Sequence, residues 1–527
     1  MANTQLFDSR AARLAPINAR NHHGAGAYAL QPKHRLAQLA ATGCLTQTYY
    51  ADAQLHLDTV LALCTDLDDA YIARSAIHAR EKGLMKDMPA LLLAILAARG
   101  SDLLPVAFGR VVDNGRMLRN FVQILRSGVV GRRSLGTRPK KLVQRWLNEA
   151  NVRQLLHAAI GNAPSLADVV KMVHPKPAEP WREALFAWLI GKPFDRAQLP
   201  AEVRDLLDWR AMAEGVCDLA HGGDVPDVPF LMLTDRPLAT AQWAQLAERM
   251  GWQALRMNLN TLARHGVFER PDMADKVARR LADMAAVRTA RAYPYQLLAA
   301  YRSVDAAVPE VVRQGLQDAL DAALANVPVL DGEVVVCPDV SGSMRSPVSG
   351  YRAGATTRVR CVDVAGLIAA ALLRTHPTAR VLPFEQKVVN VRLNPRDSVL
   401  TNAEKLAAVG GGGTNCSAPL ALLADEAARV DVVIMVSDNE SWVDGRRHGA
   451  TETMREWARI KHRNPDARLV CIDLQPYGTT QAGERSDILN VGGFGDAVFN
   501  VIAQFASGGF GAGHWVEAIE SIRMEGA

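Results

Sequence analysis

The sequence has no long apolar stretch and few aromatic side chains. Across its 527 residues no run of about eighteen consecutive apolar residues occurs, which excludes the usual pattern of a membrane-spanning helix. Aromatic residues make up only 6% of the chain, whereas the charged fraction of 22% is typical of a globular protein. A chain of this length exceeds what one hydrophobic core usually supports, so we expect about two to four domains.

Cysteine is also sparse, and no two cysteines are spaced as a C-x-x-C pair. The seven thiols are scattered and odd in number, which favours buried free thiols in a reducing compartment over disulfides or a zinc site. They are Cys44, Cys64, Cys217, Cys337, Cys361, Cys416 and Cys471. Residues 1–8 lack the basic and apolar segments of a secretory signal peptide. These features predict a cytoplasmic protein that has no membrane association.

Motifs of several enzyme classes are missing. The glycine run at 410–413 is followed by Thr414 and Asn415, not by the Lys-Ser/Thr pair of a phosphate-binding P-loop. Ser343 does not lie in a G-x-S-x-G nucleophile turn. Two positions after Asp339 stands a serine, where an aspartyl-phosphate phosphatase would have a second aspartate. We therefore predict that the protein is not an enzyme.

The sequence does contain a strand-and-loop pattern that is rich in oxygen ligands. Residues 334–336 are consecutive valines that predict a buried strand, and the strand leads into Asp339-Val-Ser-Gly-Ser343. Downstream, a glycine-rich loop offers the hydroxyl of Thr414, and a second apolar strand over 432–437 ends at the carboxylate of Asp438. Oxygen ligands that follow parallel strands suit a hard divalent cation at the carboxyl edge of a sheet.

These three pieces resemble the metal-ion-dependent adhesion site of von Willebrand factor A domains. That site has D-x-S-x-S on its first strand–helix loop, a threonine on a later loop and an aspartate after a further strand. The resemblance implies five metal ligands, which are Asp339, Ser341, Ser343, Thr414 and Asp438. The preferences of hard cations favour Mg²⁺, with Mn²⁺ and Ca²⁺ as alternatives.

The C-terminal part alternates apolar strands with amphipathic helices, which predicts a doubly wound, Rossmann-like α/β domain with a parallel sheet. The predicted strands are 333–338, 380–384, 387–391, 431–437 and 468–474. The predicted helices are near 358–375, 398–409, 416–429, 450–463 and 495–506.

From about residue 34 to residue 326 the pattern is helical. Leu57, Val60, Leu61 and Cys64 have the i, i+3, i+4, i+7 spacing that places apolar side chains on one helical face. Similar stripes recur with short Gly- or Pro-containing breaks, and no β-rich run interrupts them. Helices of this length and density predict an α-solenoid, although no strict sequence period is present.

Positive charge is concentrated in the helical part. Residues 1–330 hold 40 Lys and Arg against 32 Asp and Glu, and residues 101–150 hold 10 against 3. Such asymmetry indicates a polyanionic partner, and a basic turn beside a helix start suits phosphate; a merely solvated basic face is the alternative. The candidate nucleic-acid-binding residues of this stretch are Arg119, Arg126, Arg132, Arg133, Arg138, Lys140 and Lys141. A second basic stretch adds Lys171, His174 and Lys176.

The whole chain resembles the Ro autoantigen family, and in particular its bacterial Ro-like members, which join a TROVE domain to a von Willebrand factor A-like domain. The resemblance covers roughly residues 30–510. Its specific segments are 125–134, 143–149, 165–177, 258–262 and 290–295. It implies an N-terminal arm over 1–30, a TROVE domain of HEAT-like helical repeats over 31–328, and an A-like domain with a C-terminal tail over 329–527.

The same resemblance implies a function. Family members form a ring of HEAT-like repeats that is closed by the A-like domain. The ring binds small structured Y RNAs and engages the 3′ ends of misfolded RNAs, in RNA quality control and stress response. Bacterial relatives attach polynucleotide phosphorylase through the Y RNA, so that enzyme is an implied partner. The alternative is a protein-binding scaffold whose A-like domain captures an acidic partner residue through a bound metal ion.

Overall fold

A computed structural model shows two compact units. One consists of Met1–Leu67, Tyr293–Ser303 and Leu320–Ile522, and the other of Asp68–Ala292, Val304–Ala319 and Arg523–Ala527. The structure describes residues 14–42, 45, 48, 51–212, 224–290, 292, 294–324, 327, 329–350, 359–442, 449–493, 496–508 and 514–524. Cys44, Cys217 and the first eight residues therefore lie outside the described residues. Within the described ranges no helix has the length and apolar character needed to cross a membrane.

The second unit, called the helical unit below, has only α-helices and short 3-10 helices among its described elements. Most of the helix–helix contacts in this unit join helices that are one or two positions apart along the chain. This pattern of local contacts is that of a solenoid and confirms the helical prediction. Its helices are α3 (Asp69–Glu81), α4 (Asp87–Arg99), α5 (Leu104–Val111), α6 (Gly115–Ser127), α7 (Thr137–Glu149), α8 (Val152–Ala158), α9 (Leu166–Val173), α10 (Pro180–Ile190), α11 (Ala201–Ala211), α12 (Thr240–Arg249), α13 (Trp252–Met257), α14 (Leu259–Arg264), α15 (Met273–Ala282), α16 (Met284–Thr289) and the first part of α18 (Glu310–Leu324).

Glycine allows one unusually close helix contact in this unit. Gly115 begins α6, and a Cβ atom built on it would lie 2.1 Å from the Cβ of Ala158 on α8. We expect Gly115→Ala to destabilise the protein by about 1–3 kcal/mol, because the two helices must move apart to admit one methyl group. Gly251 is the matched control, since it has φ −61° and nothing within 4 Å of an added Cβ. Denaturant unfolding of both variants measures the difference, and equal midpoints would contradict the close packing.

The first unit, called the α/β unit below, centres on a five-stranded parallel sheet of order β4-β3-β5-β6-β8. Its central strands read as apolar runs because helices cover both faces of a parallel sheet. The strands are β3 (Val334–Pro338), β4 (Arg380–Val381), β5 (Val432–Ser437), β6 (Arg468–Asp473) and β8 (Ile488–Gly492). The helices after residue 360 are α19 (Cys361–Thr375), α20 (Val399–Ala407), α21 (Ala418–Asp425), α22 (Glu452–Arg463), α23 (Asp496–Ala506) and α24 (His514–Glu520).

One predicted strand is wrong. Residues 387–391 form no strand and instead turn back on the end of β4, where Val388 bridges Phe384 and the Val389 amide donates to the Pro383 carbonyl over 2.7 Å. The fifth strand is β8, which the sequence did not indicate because Asn490 interrupts its apolar run and glycine follows it at once. The other four predicted strands are confirmed, although β4 is shorter than its predicted range.

The described residues before Leu67 belong to the α/β unit. They form β1 (Ala19–Arg20), β2 (Gly26–Ala29), α1 (Pro32–Thr42) and α2 (Ala53–Asp66). Strand β2 pairs antiparallel with β1 and with β7 (Thr479–Thr480). Tyr28 of β2 is buried in the same apolar core as Trp457 of α22. Helix α17 (Pro294–Ser303) also belongs to this unit.

Candidate metal centre and nucleic-acid interface

Three loops of the α/β unit meet at the carboxyl edge of the parallel sheet. Asp339 directly follows β3 and Asp438 directly follows β5, and these two strands are hydrogen-bonded neighbours. The glycine-rich loop joins them, because the Gly342 amide donates to the Gly412 carbonyl over 2.9 Å. The Trp442 amide donates to the Thr414 carbonyl over 3.2 Å and ties the third loop to the second. The backbone therefore gathers all three predicted ligand segments.

The side chains of the predicted ligands are buried together. Asp339 and Ser341 are fully buried, and Ser343, Thr414 and Asp438 are each less than 8% exposed. The Ser341 amide donates to Asp339 Oδ1 over 2.8 Å, and the hydroxyls of Ser341 and Ser343 are 3.4 Å apart. The Ser343 side chain also forms a hydrogen bond with Asp438. Direct contacts thus link four of the five predicted ligands. The fifth, Thr414, is held near them by the backbone hydrogen bonds of its loop.

The electrostatics of this edge are those of uncompensated buried acids. Burial and the nearby Asp438 raise the pKa of Asp339 to about 7, and burial also raises the pKa of Asp438. Among the described residues no Lys or Arg forms an ion pair with either carboxylate. A divalent cation would supply the missing positive charge.

The sequence interpretation missed several polar side chains of this edge. Ser437 donates to Asp339 Oδ2 over 2.6 Å. Burial raises the pKa of Glu440 to about 8, and its carboxyl group accepts the amide of His22 over 2.9 Å. Asp473 ends β6, and burial raises its pKa well above the usual range. The strand-end argument that found Asp438 could have found Asp473, whereas no sequence signal linked His22 to Glu440.

His22 lies beside Glu440 as a neutral partner. Its Nδ1 is 3.3 Å from the Glu440 carboxyl group. Burial lowers the pKa of His22, and burial raises that of Glu440, so both shifts favour the uncharged forms. The contact is therefore a hydrogen bond near neutral pH and not an ion pair.

The donor set fits a hard divalent cation. It consists of two carboxylates and three hydroxyls, without thiolate or imidazole among the five predicted ligands. Mg²⁺ and Ca²⁺ prefer such oxygen donors, and Mg²⁺ commonly retains several waters. Asp339, Ser341, Ser343, Thr414 and Asp438 would hold the ion, which would neutralise the paired aspartates.

In the helical unit, four of the predicted RNA-binding residues surround one open pocket. Arg126, Arg133, Lys140 and Lys141 line a volume of about 680 Å³ together with Gln144 and Met172. The pocket lies at the start of α7, whose first amides have no intrahelical partner. None of the described residues that line it is acidic. We call it the basic pocket.

Three other predicted residues have their guanidinium groups turned toward backbone carbonyls. Arg132 donates to the Ala97 carbonyl over 2.9 Å, and Arg138 donates to the Gly100 and Ser101 carbonyls over 3.0 Å each. Both arginines thereby bind carbonyls in and directly after the last turn of α4. Arg119 is within hydrogen-bond distance of the Pro164 carbonyl at 3.4 Å. These side chains stabilise the helical unit, whatever they contribute to binding.

The second predicted basic stretch lines a neighbouring pocket of about 630 Å³. Lys171, His174 and Lys176 are joined there by Phe186 and Lys192. His174 ends α9 in the left-handed conformation with φ 52°, and its amide donates to the Val170 carbonyl. The C-cap position directs the chain into the loop that carries Lys176.

A further group of cations was missed. The pKa of Lys86 is lowered by burial and then by the neighbouring Arg116 and Arg80. Arg116 also contributes, after burial, to the lowered pKa of Arg119. Arg116 lies outside the predicted set, although it is one helical turn from Arg119 on α6. Arg80 of this group pairs with Asp113 over 2.7 Å, which offsets part of the positive charge.

Two family models match the chain. The Ro60 vWA domain model matches residues 333–506, and the TROVE domain model matches residues 232–357. The chain is a TROVE and Ro60 vWA domain protein. The predicted family is thereby confirmed, and the Ro60 vWA match contains all five predicted metal ligands. The basic pocket precedes the segment matched by the TROVE model.

Likeness to individual relatives extends over nearly the whole chain. The RNA-binding protein RO60 of Deinococcus radiodurans is 27% identical over 545 residues, which span 94% of this chain and 96% of the relative. The RNA-binding protein RO60 of Caenorhabditis elegans is 26% identical over 248 residues, 44% of this chain and 37% of that protein. The crystal structure of the Deinococcus radiodurans RO (RSR) protein superposes with a TM-score of 0.65 at 24% identity, covering 91% of this chain and all of that one. The predicted combination of a helical solenoid with a parallel-sheet A-like domain is thus confirmed.

Proposed function

We propose that this TROVE and Ro60 vWA domain protein binds RNA through its helical unit. The observation that carries the proposal is the basic pocket, where four cations converge beside a helix start and none of the described lining residues is acidic. Guanidinium, ammonium and free amide groups together form a site for phosphate. Both curated relatives are named RNA-binding proteins, which supports the proposal.

We further propose that the ligand is a small structured, Y-like non-coding RNA and that 3′ ends of misfolded RNAs are also engaged. Phosphate contacts position an RNA without reading its sequence, and structured RNA is recognised largely by shape. The protein would then act as a non-catalytic, cytoplasmic scaffold in RNA quality control. Polynucleotide phosphorylase is the partner enzyme of this proposal.

Purification under low salt should yield the protein together with RNA. We expect an absorbance spectrum shifted toward 260 nm that ribonuclease treatment returns to that of protein, since phosphate contacts weaken steeply as salt is added. Sequencing the released RNA identifies its class. Nucleic-acid-free protein that also fails to bind hairpin probes with single-stranded tails in dilute buffer would contradict the proposal.

A second candidate function is the capture of an acidic residue of another protein by the metal centre. Trp442 favours it, because this large apolar side chain is 46% exposed. Its indole packs on Gly413, where an added Cβ would lie 2.4 Å from the indole nitrogen. Tryptophan is enriched among the residues that contribute most of the binding energy at protein–protein interfaces. Partner capture that requires Mg²⁺ and Trp442 but not RNA would identify this function.

A further inference from the structure

A half-enclosed cavity of the helical unit lies apart from the basic pocket and from the pocket lined by Lys171, His174 and Lys176. Its volume is about 310 Å³, and it opens between α8, the start of α11, the segment 226–231 and the junction of α12 with α13. This volume is at the small end of the range of about 300–1,000 Å³ that protein ligand sites occupy. It suits one small ligand or one unit of a polymer, and not a folded element.

The interior of the cavity is apolar and has one aromatic wall. Leu156, Leu246 and Met250 line it and are each less than 7% exposed. Phe230 also lines it and is half-buried, so that its ring borders the open volume. Flat aromatic ligands pack favourably on such a ring, and nucleobases commonly do so.

Polar groups of both signs complete the lining. Arg153 and His157 lie one turn apart on α8, and the pKa of His157 is lowered by burial and then by Arg153. Among the described residues no carboxylate forms an ion pair with Arg153. This side of the cavity therefore attracts an anion such as a phosphate.

The wall opposite α8 is anchored and carries acceptors. Arg249 Nη1 donates to the Val225 carbonyl over 2.6 Å, which holds the segment that contains Phe230. Glu202 and Asp227 also line the cavity. An ionised carboxylate only accepts hydrogen bonds, so it favours a ligand with an amino group over one that presents carbonyl oxygens.

We propose that this cavity binds a single nucleotide whose base carries an exocyclic amino group. The base would pack against Phe230 among the apolar side chains, its amino group would donate to Glu202, and its phosphate would contact Arg153 and His157. The nucleotide is either free or part of a bound RNA strand. The latter form rests on the proposed RNA-binding function and adds a site for one unpaired base.

Calorimetric titration of the full-length protein with AMP, UMP and a short oligoadenylate tests the proposal. AMP should bind more tightly than UMP, and Glu202→Gln should narrow that difference, because an amide also donates to the carbonyls of uracil. Arg153→Ala should weaken AMP binding about tenfold, the usual effect of losing a charge-assisted hydrogen bond. Ala254→Phe places a ring in the cavity and should abolish binding. Arg204→Ala on α11 and Ala263→Phe on α14 are matched controls outside the lining.

The outcomes separate the two forms of the ligand and the two proposals. If the protein binds oligoadenylate but not AMP, and Arg153→Ala weakens that binding, the site is assigned to a nucleotide within a strand. Binding of neither probe, or equal binding by wild type, Arg153→Ala and Ala254→Phe, overturns the cavity proposal. Arg153 is exposed, so its variant tests the idea even if Ala254→Phe fails to fold. If the cavity proposal fails, hairpin binding that depends on Lys140 and Lys141 should persist. The RNA-binding proposal is therefore tested independently of the cavity proposal.

Discussion

Replacing Arg133, Lys140 and Lys141 together by glutamate should weaken binding of structured RNA by about a hundredfold at low salt. The three side chains line the basic pocket, and each reversal removes a phosphate contact and adds a repulsive charge. The slope of log K against log salt should fall by about two to three, since each lost contact removes about 0.7–0.9. The loss should be similar for unrelated hairpins because phosphate contacts do not read sequence. Filter binding over a salt series measures both quantities.

This variant leaves Arg132 and Arg138 intact because they hold the end of α4. Reversing their charge would remove these hydrogen bonds, and the resulting loss of stability would be confused with a loss of binding. The matched control is the triple glutamate variant at Arg204, Arg264 and Arg270. These exposed arginines of the same unit line neither the basic pocket nor the pocket that contains Lys171 and Lys176. The control should bind with nearly wild-type affinity. Equal affinities of the two triple variants would show that net charge alone, and not the basic pocket, attracts the RNA.

Asp339→Asn should abolish Mg²⁺ binding by the α/β unit. The substitution removes one of two carboxylates but keeps an oxygen that can accept the Ser341 amide. Without metal at pH 8 the variant should be at least as stable as the wild type, because a neutral side chain beside Asp438 ends the repulsion of two buried charges. Asp425→Ala is the control, since that aspartate is exposed and pairs with Arg459. Calorimetric Mg²⁺ titration and thermal unfolding in a chelator measure the two effects, and undiminished Mg²⁺ binding would remove Asp339 from the ligand set.

The wild-type protein should show a matching pH dependence. The pKa of Asp339 is raised from 3.8 in the unfolded chain to about 7 in the fold, so the folded state binds the proton more tightly. Metal-free protein therefore loses stability as pH rises through the window from about 4 to 7, and the loss stops above it. Mg²⁺ must displace that proton, so its affinity should rise up to about tenfold per pH unit in the same window. A pH-independent Mg²⁺ affinity would contradict the raised pKa.

The sequence predicted the α/β unit well where burial dominates local pattern. Residues 334–336 and 432–437 are covered on both faces, so they read as apolar runs, and the carboxylates that follow them had to meet at one edge of a parallel sheet. The 387–391 segment has the same β-branched composition, but it turns back on residues 383–384 and forms only an isolated bridge there. Local composition cannot distinguish these cases, because strand pairing depends on distant residues.

The basic surface shows the same limit more sharply. Charge and spacing identified the region of the basic pocket, but they could not separate Lys140 from Arg138. One lines the pocket, while the other satisfies carbonyls 37 and 38 residues earlier in the chain. Arg153 was not among the predicted site residues, since a single arginine on a short helix forms no recognisable sequence pattern. Whether an arginine is available to a ligand or stabilises the fold can be decided only when the positions of the surrounding carbonyls are known.

The packing of Asn21 and Tyr28 in the α/β unit has a consequence for biosynthesis. Asn21 donates to the carbonyl of Ser441, which is 420 residues later in the chain. At about 5–20 residues per second, a ribosome needs roughly 20–80 s to make that partner. During that time the apolar residues of the nascent N-terminal segment stay exposed. Such a segment is a substrate for chaperones. A C-terminal fragment made without residues 14–67 would likewise expose the surface that Tyr28 covers and should aggregate.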